Sequence, residues 1–281
     1  MTTEVLRYTA FARDPKAGNP AGIVIDTEGL AEPAMQAIAA QVGYSETAFL
    51  RPLGGGQFAV RYFSPQAEVP FCGHATVASA VAIAERDGVG TLHFGTQVGR
   101  IVVQTGLHDG GLTATLTSVP TRVATVTDAD LEEALAALDW PAADLDPDLP
   151  PRIAFGGAHH LVLAARSRER LADLDYDFDR LKTLMLQREW TTIQLVWRES
   201  PTEFHVRNPF PVGGIVEDPA TGAAAAAFGG YLRSLGLITP PATIRLHQGA
   251  DMGRPSLLVV EVPAGVETVK VTGNAVRIEE L

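Results

Sequence analysis

Cysteine occurs once in the 281 residues, at Cys72, which excludes an intramolecular disulfide. A chain of this length buries enough apolar surface to stand without disulfides or a structural metal. Basic residues are also few: 22 Lys+Arg face 33 Asp+Glu, for a formal net charge of −11. Such a surface repels nucleic-acid phosphates and anionic membranes, so neither is expected as a partner. Long apolar runs are missing, since "ATVASAVAIA" stops well short of the roughly 20 residues a membrane helix needs. No secretory leader is recognisable, which together with the lone thiol points to a cytoplasmic protein. Cofactor motifs are absent too. No G-x-G-x-x-G follows a strand, no Walker A is present, and Lys16, Lys182 and Lys270 lie away from the glycine turns described below. Without a CxxC pair or an HExxH, and with His159-His160 alone a weak signal, no metal site is expected.

What the chain does contain is an internal repeat. "YSETAFLRPLGGGQFAVRYFSP" from Tyr44 aligns without a gap on "WTTIQLVWRESPTEFHVRNPFP" from Trp190, at an offset of 190 − 44 = 146. Phe58, Val60, Arg61 and Pro65 fall on Phe204, Val206, Arg207 and Pro211. Each segment reads as two strands joined by a turn. Each is followed by a Gly-containing loop and an alanine-rich helix, "CGHATVASAVAIAERDG" and "DPATGAAAAAFGGYLRSLG". A His-x-Gly-x-x-x-Gly-Arg signature then recurs from His93 and from His247. Its architectural reading is a hairpin whose glycines supply positive φ.

The pattern predicts an α+β fold of two pseudo-symmetric domains. Each is a mostly antiparallel, barrel-like sheet wrapped around a central helix that is apolar on every face and therefore buried. The first unit is expected over residues 1–118, completed by a C-terminal strand within 268–281. A connection with a short acidic helix spans 119–151, and the second unit covers 152–267. Each unit opens with a hairpin and then a helix, "AEPAMQAIAAQVG" in the first and "RERLADLDYDFDRLKTLMLQRE" in the second.

A helix start leaves backbone N–H groups without intrahelical partners, and these hold carboxylates or phosphates readily. Gly73 and Gly222 cost helix stability but let a ligand approach the backbone. If the two helix starts face one cleft, an anionic substrate can bind there on an otherwise acidic protein. Three acid–base residues sit at these turns. Glu46 opens an otherwise apolar strand, a setting that raises a carboxyl pKa toward the range useful for proton transfer. His74 follows Gly73. Asp218 precedes Pro219, so helix capping is an alternative to a catalytic role for it. Asn19, Ser45 and Thr221 are candidate polar contacts, and Glu217 reads as electrostatic decoration of a helix start. Cys72 lacks the second thiol of a two-cysteine racemase and reads as a packing or cleft-lining residue.

"GNPAGIV" (18–24), "YSETAFL" (44–50), "EVPFCGHAT" (68–76), "EDPATGAAAA" (217–226) and "QGADMGRPSLL" (248–258) together resemble the PhzF-like family, which has the diaminopimelate epimerase fold. The resemblance runs nearly the length of the chain. It implies a cofactor-independent isomerase, frequently a homodimer, with the active site between two domains. Glu46 matches the family's acid/base, and His74 and Asp218 match its motif histidine and aspartate. The family serine falls on Ala223, a departure that bears on the substrate. The expected function is proton transfer on a small carboxylate, with Glu46 moving the proton and His74 and Asp218 assisting. Backbone N–H groups at Gly73 and Gly222 would hold the carboxylate or a developing enolate. The alternative is a non-catalytic metabolite-binding or protein-interaction member of the same scaffold.

Overall fold

The computed structural model describes residues 3–108 and 110–279. The chain divides into two compact units, Met1–Thr117 with Thr272–Leu281, and Ser118–Val271. The first unit begins β1 (Leu6–Ala10), β2 (Asn19–Ile25), α1 (Glu32–Val42), β3 (Glu46–Gly54) and β4 (Gln57–Phe63). It continues with the two-residue β5 (Glu68–Val69), α2 (Gly73–Asp87), β6 (Thr91–Thr96), β7 (Gly99–His108) and β8 (Gly111–Thr117). In the second unit β9 (Arg122–Thr125), α3 (Asp128–Leu138), β10 (Arg152–Phe155), β11 (His159–Ala164), α4 (Arg168–Ala172) and α5 (Phe178–Arg188) come first. There follow β12 (Trp190–Arg198), β13 (Glu203–Phe210), β14 (Ile215–Asp218), α6 (Gly222–Ser234), β15 (Ala242–Gln248) and β16 (Ser256–Val262), after which β17 (Lys270–Arg277) returns to the first unit.

Strand pairing repeats between the units. β2 and β3 are parallel across the α1 crossover, as β11 and β12 are across α4 and α5. β4 pairs parallel with β6 after α2, and β13 pairs parallel with β15 after α6. The remaining neighbours in these ladders are antiparallel. In the first unit β17 pairs with both β1 and β8, which closes a ring of eight strands, β1-β2-β3-β4-β6-β7-β8-β17. Closure removes the unpaired edges that an open sheet would present.

Each unit wraps a helix, as the alanine-rich runs predict. Every residue of α2 from His74 to Ala84 is buried, and α6 is buried from Ala224 to Leu232. Small side chains allow this close approach. A Cβ placed on Gly230 would lie 2.4 Å from Thr121 Oγ1, and one on Gly229 would lie 2.9 Å from Val260 Cγ1. The parallel strands are covered on their other face as well. Val24, Phe49 and Phe63 pack with Met35 and Ala39 of α1, and Leu161, Leu163, Ile193 and Leu195 pack with α3 and α5. Coverage on both faces explains why "AGIVI" and "TIQLV" read as continuous apolar runs.

One predicted element divides. "RERLADLDYDFDRLKTLMLQRE" forms two helices because Asp177 caps α5, its side chain accepting from Arg180 N. An N-cap takes extended backbone, so the first helix has to stop before it. The segment 119–151 supplies β9, which pairs with β10, and α3, which packs against α5 within the second unit. No helix among the described residues is long and apolar enough to cross a membrane.

Candidate active site

Three chain segments of the first unit converge on one imidazole. Asn19 starts β2 and Glu46 starts β3. Because these strands are parallel, both starts lie at the same end of the barrel, with Ala21 paired to Glu46. Gly18 makes the turn into β2 at φ +68°, where a Cβ would come within 2.4 Å of Ala10 O, so only glycine fits. Cys72 is the N-cap of α2. The first turn of α2 is tied down by a chain of hydroxyls: Tyr62 donates to Thr76 Oγ1 at 2.6 Å, which donates to Cys72 O at 2.6 Å.

His74 sits at the centre. Asn19 Nδ2 donates to His74 Nδ1 at 3.1 Å, so Nδ1 is an acceptor and the neutral ring carries its proton on Nε2. That nitrogen faces Glu46 Oε2 and Ser45 Oγ, each at 3.4 Å. The side chains of His74 and Glu46 are 6% and 15% exposed. Burial drives the Glu46 carboxyl above its ordinary pKa, and hydrogen bonds from Ser45 and Cys72 oppose that rise. A carboxylate raised by desolvation and faced by an imidazole N–H can take up a proton and pass one back.

The cysteine also belongs here. Cys72 Sγ lies 3.3 Å from His74 Nδ1 and 3.7 Å from Nε2, and it bonds Glu46. The sequence reading set it aside as a packing or cleft-lining residue, and the structure makes it part of the cluster. The cluster also brings potential metal-ligating atoms together where the sequence motifs suggest none. Glu46, Cys72 and His74 each offer one donor atom, all within 4.8 Å of one another. Positions 26 residues apart in sequence carry no spacing signature for this; only the β3–α2 packing creates it.

The second unit has its own helix start. Thr221, not Asp218, is the N-cap of α6, which overturns the capping reading of Asp218. Asp218 ends β14, is buried, and its Oδ2 accepts from Thr221 Oγ1 at 2.6 Å. Gln248, buried after the second His-x-Gly signature begins, braces this turn. It accepts from Thr221 N at 3.0 Å and donates to Asp218 O at 2.7 Å. Three of the signature's four glycines supply positive φ, +111° at Gly99, +75° at Gly249 and +75° at Gly253, while Gly95 lies in β6 without it. Gly73 and Gly222 are the first residues of α2 and α6, and neither N-cap side chain bonds its helix. The first-turn N–H groups are thereby left to other acceptors.

Two features escaped the sequence reading. Glu217 is no surface decoration: it forms a bidentate, buried ion pair with Arg207, Nε to Oε2 at 3.0 Å and Nη2 to Oε1. Its counterpart is Arg61 with Glu68, both contacts at 2.6 Å. The repeat already aligned the two arginines, and a glutamate precedes each Gly-containing helix start; pairing those facts would have found both clamps. The second feature is a buried polar chain at the position equivalent to Glu46 (46 + 146 = 192). Thr192 Oγ1 donates to Asn208 Oδ1 and contacts His160 Nδ1, both at 2.8 Å.

Comparison with known proteins shows the family and the fold. The family model described as phenazine biosynthesis-like protein matches residues 8–280. An uncharacterised isomerase of Bacillus subtilis is 31% identical over 287 residues, covering 98% of this chain and 97% of the relative. A trans-2,3-dihydro-3-hydroxyanthranilate isomerase of Pseudomonas fluorescens is 31% identical over 275 residues, covering 95% and 94%. Among solved structures, a Bacillus anthracis phenazine biosynthesis protein of the PhzF family superposes with a TM-score of 0.89 at 26% identity, covering 100% of this chain and 99% of that one.

Proposed function

Because the chain belongs to the phenazine biosynthesis-like family and is an isomerase, we propose that it moves a proton on a small carboxylate substrate with its own side chains. The observation that carries this reading is Glu46, a largely buried carboxyl raised in pKa and 3.4 Å from His74 Nε2. Glu46 takes the proton from carbon and returns it at the product position. His74, its tautomer set by Asn19, presents N–H toward the charge that develops as the C–H bond breaks. Backbone N–H groups at Gly73 bind the substrate carboxylate, and Ser45 orients Glu46. The Pseudomonas relative acts on a cyclic carboxylate by its name, which supports that substrate class here. Ala223 stands where the family resemblance implies a serine, so the substrate is proposed to differ there.

The test is exchange of substrate C–H for solvent deuterium with a panel of cyclic and amino-acid-like carboxylates, followed by mass spectrometry. Glu46→Gln is expected to lower the exchange rate by about 10²–10⁴-fold. Full exchange by Glu46→Gln would remove Glu46 as the base. Ligand-induced thermal stabilisation without exchange would favour the non-catalytic reading that Ala223 suggests.

A further inference from the structure

We propose that Glu46, Cys72 and His74 form a Zn2+ site that switches the enzyme off. The three donors are chemically distinct: one thiol sulfur, one imidazole nitrogen and one carboxylate oxygen. Sulfur and nitrogen together select Zn2+ over Mg2+ or Ca2+, which take oxygen ligands. The spacing fits as well. Zinc–ligand bonds of about 2.3 Å to sulfur and about 2.0–2.1 Å to nitrogen or oxygen set tetrahedral donor edges of about 3.3–3.6 Å. The observed edges are 3.7 Å from Cys72 Sγ to His74 Nε2 and 3.4 Å from His74 Nε2 to Glu46 Oε2. The third edge, Cys72 Sγ to Glu46, lies within 4.8 Å, so rotation of the Glu46 side chain completes a three-ligand face, and the fourth position stays open to water or a substrate carboxylate.

Binding balances in protons. The Cys72 thiol releases its proton to solvent on becoming a thiolate, and Glu46 releases the proton it holds below its raised pKa. The His74 proton moves from Nε2 to Nδ1, and the Asn19 amide turns its Oδ1 to accept there. Asn19 thereby becomes the outer partner that fixes a metal-bound imidazole. The ion occupies the carboxylate and imidazole that the proposed reaction uses, so the inhibitory part rests on that reading, while the binding part stands on geometry alone.

The experiment uses the full chain, treated with chelator and desalted, then titrated with Co2+ as an optical stand-in and with Zn2+ in competition. The wild type is expected to show a thiolate-to-cobalt charge-transfer band at one equivalent, displaced by one equivalent of Zn2+. Cys72→Ser should lose that band and weaken Zn2+ binding by more than the 10–100-fold that loss of an outer partner costs, and Asn19→Ala by about 10–100-fold. Cys72 is the chain's single thiol, so Zn2+ should also slow its reaction with a disulfide reagent in the unmodified protein, a readout that needs no variant. His205 and His247 stack at 5.1 Å beside Glu199 and Glu203, and changing both to alanine should leave the cobalt band untouched. A cobalt spectrum without thiolate character, unprotected Cys72, or binding lost only with His205 and His247 would overturn the proposal. These readouts are independent of turnover. Zinc binding without an effect on deuterium exchange would overturn the switch, and absent exchange in metal-free enzyme would count against the isomerase assignment instead.

Discussion

Glu46 sets activity against stability. Its carboxyl is raised above the ordinary value of 4.5, chiefly by burial. Above pH 4.5 an unfolded Glu46 has lost its proton while the native one retains it, so the native state loses stability as pH rises through the folded pKa. The native fold therefore disfavours an ionised carboxylate at this position. Glu46→Gln should unfold at higher urea than wild type at pH 7, with the advantage shrinking toward pH 4.5, even as exchange is lost. A variant less stable at pH 7 would contradict the burial argument. His160 behaves in the opposite sense. Burial, aided by His159, lowers its pKa from 6.5 to about 3. The unfolded chain takes up that proton below about 6.5 and the folded one resists, so stability falls as pH falls. The expected contribution between pH 7 and pH 5 is about 2 kcal/mol, at about 1.4 kcal/mol per pH unit. Urea unfolding of His160→Gln at both values should show a correspondingly smaller loss than wild type.

The short strands β5 and β14 are held by arginine clamps that look alike and should differ in strength. Arg207 and Glu217 have side chains 9% and 6% exposed, and Arg207 also donates to Ala172 O at 2.6 Å. Arg61 is 35% exposed and divides itself between Glu68 and Glu32. Removing one partner of a buried pair strands the other charge, at about 3–5 kcal/mol, whereas exposed pairs contribute about 0–1 kcal/mol. Arg207→Met should therefore lower the unfolding free energy several-fold more than Arg61→Met, measured by urea denaturation at one pH. Equal losses would show that burial does not separate the clamps. Because β14 leads directly into Asp218, Arg207→Met should also disturb the start of α6.

The first barrel depends on the last strand in the chain. Tyr8, Thr9 and Ala10 of β1 pair with Arg277, Val276 and Ala275, and Thr115 of β8 bonds Thr272 at 2.7 Å. Truncation after Val271 would leave β1 and β8 as unpaired edges, which recruit other chains. The truncated protein should self-associate, seen by light scattering, and lose its cooperative unfolding transition; a monodisperse product with an unchanged transition would refute the closing role. Much of this organisation was legible beforehand. The 146-residue offset exposed the duplication, the all-round apolar helices declared themselves buried, and Glu46 stood out as a carboxylate in an apolar strand, because periodicity and composition are local properties. What only folding decided were the relations between distant side chains. Cys72 joined Glu46 and His74, Glu217 turned inward to Arg207, and Thr221 displaced Asp218 as the cap. Each depends on where strand register and helix entry bring two segments together, and neither segment carries that information alone.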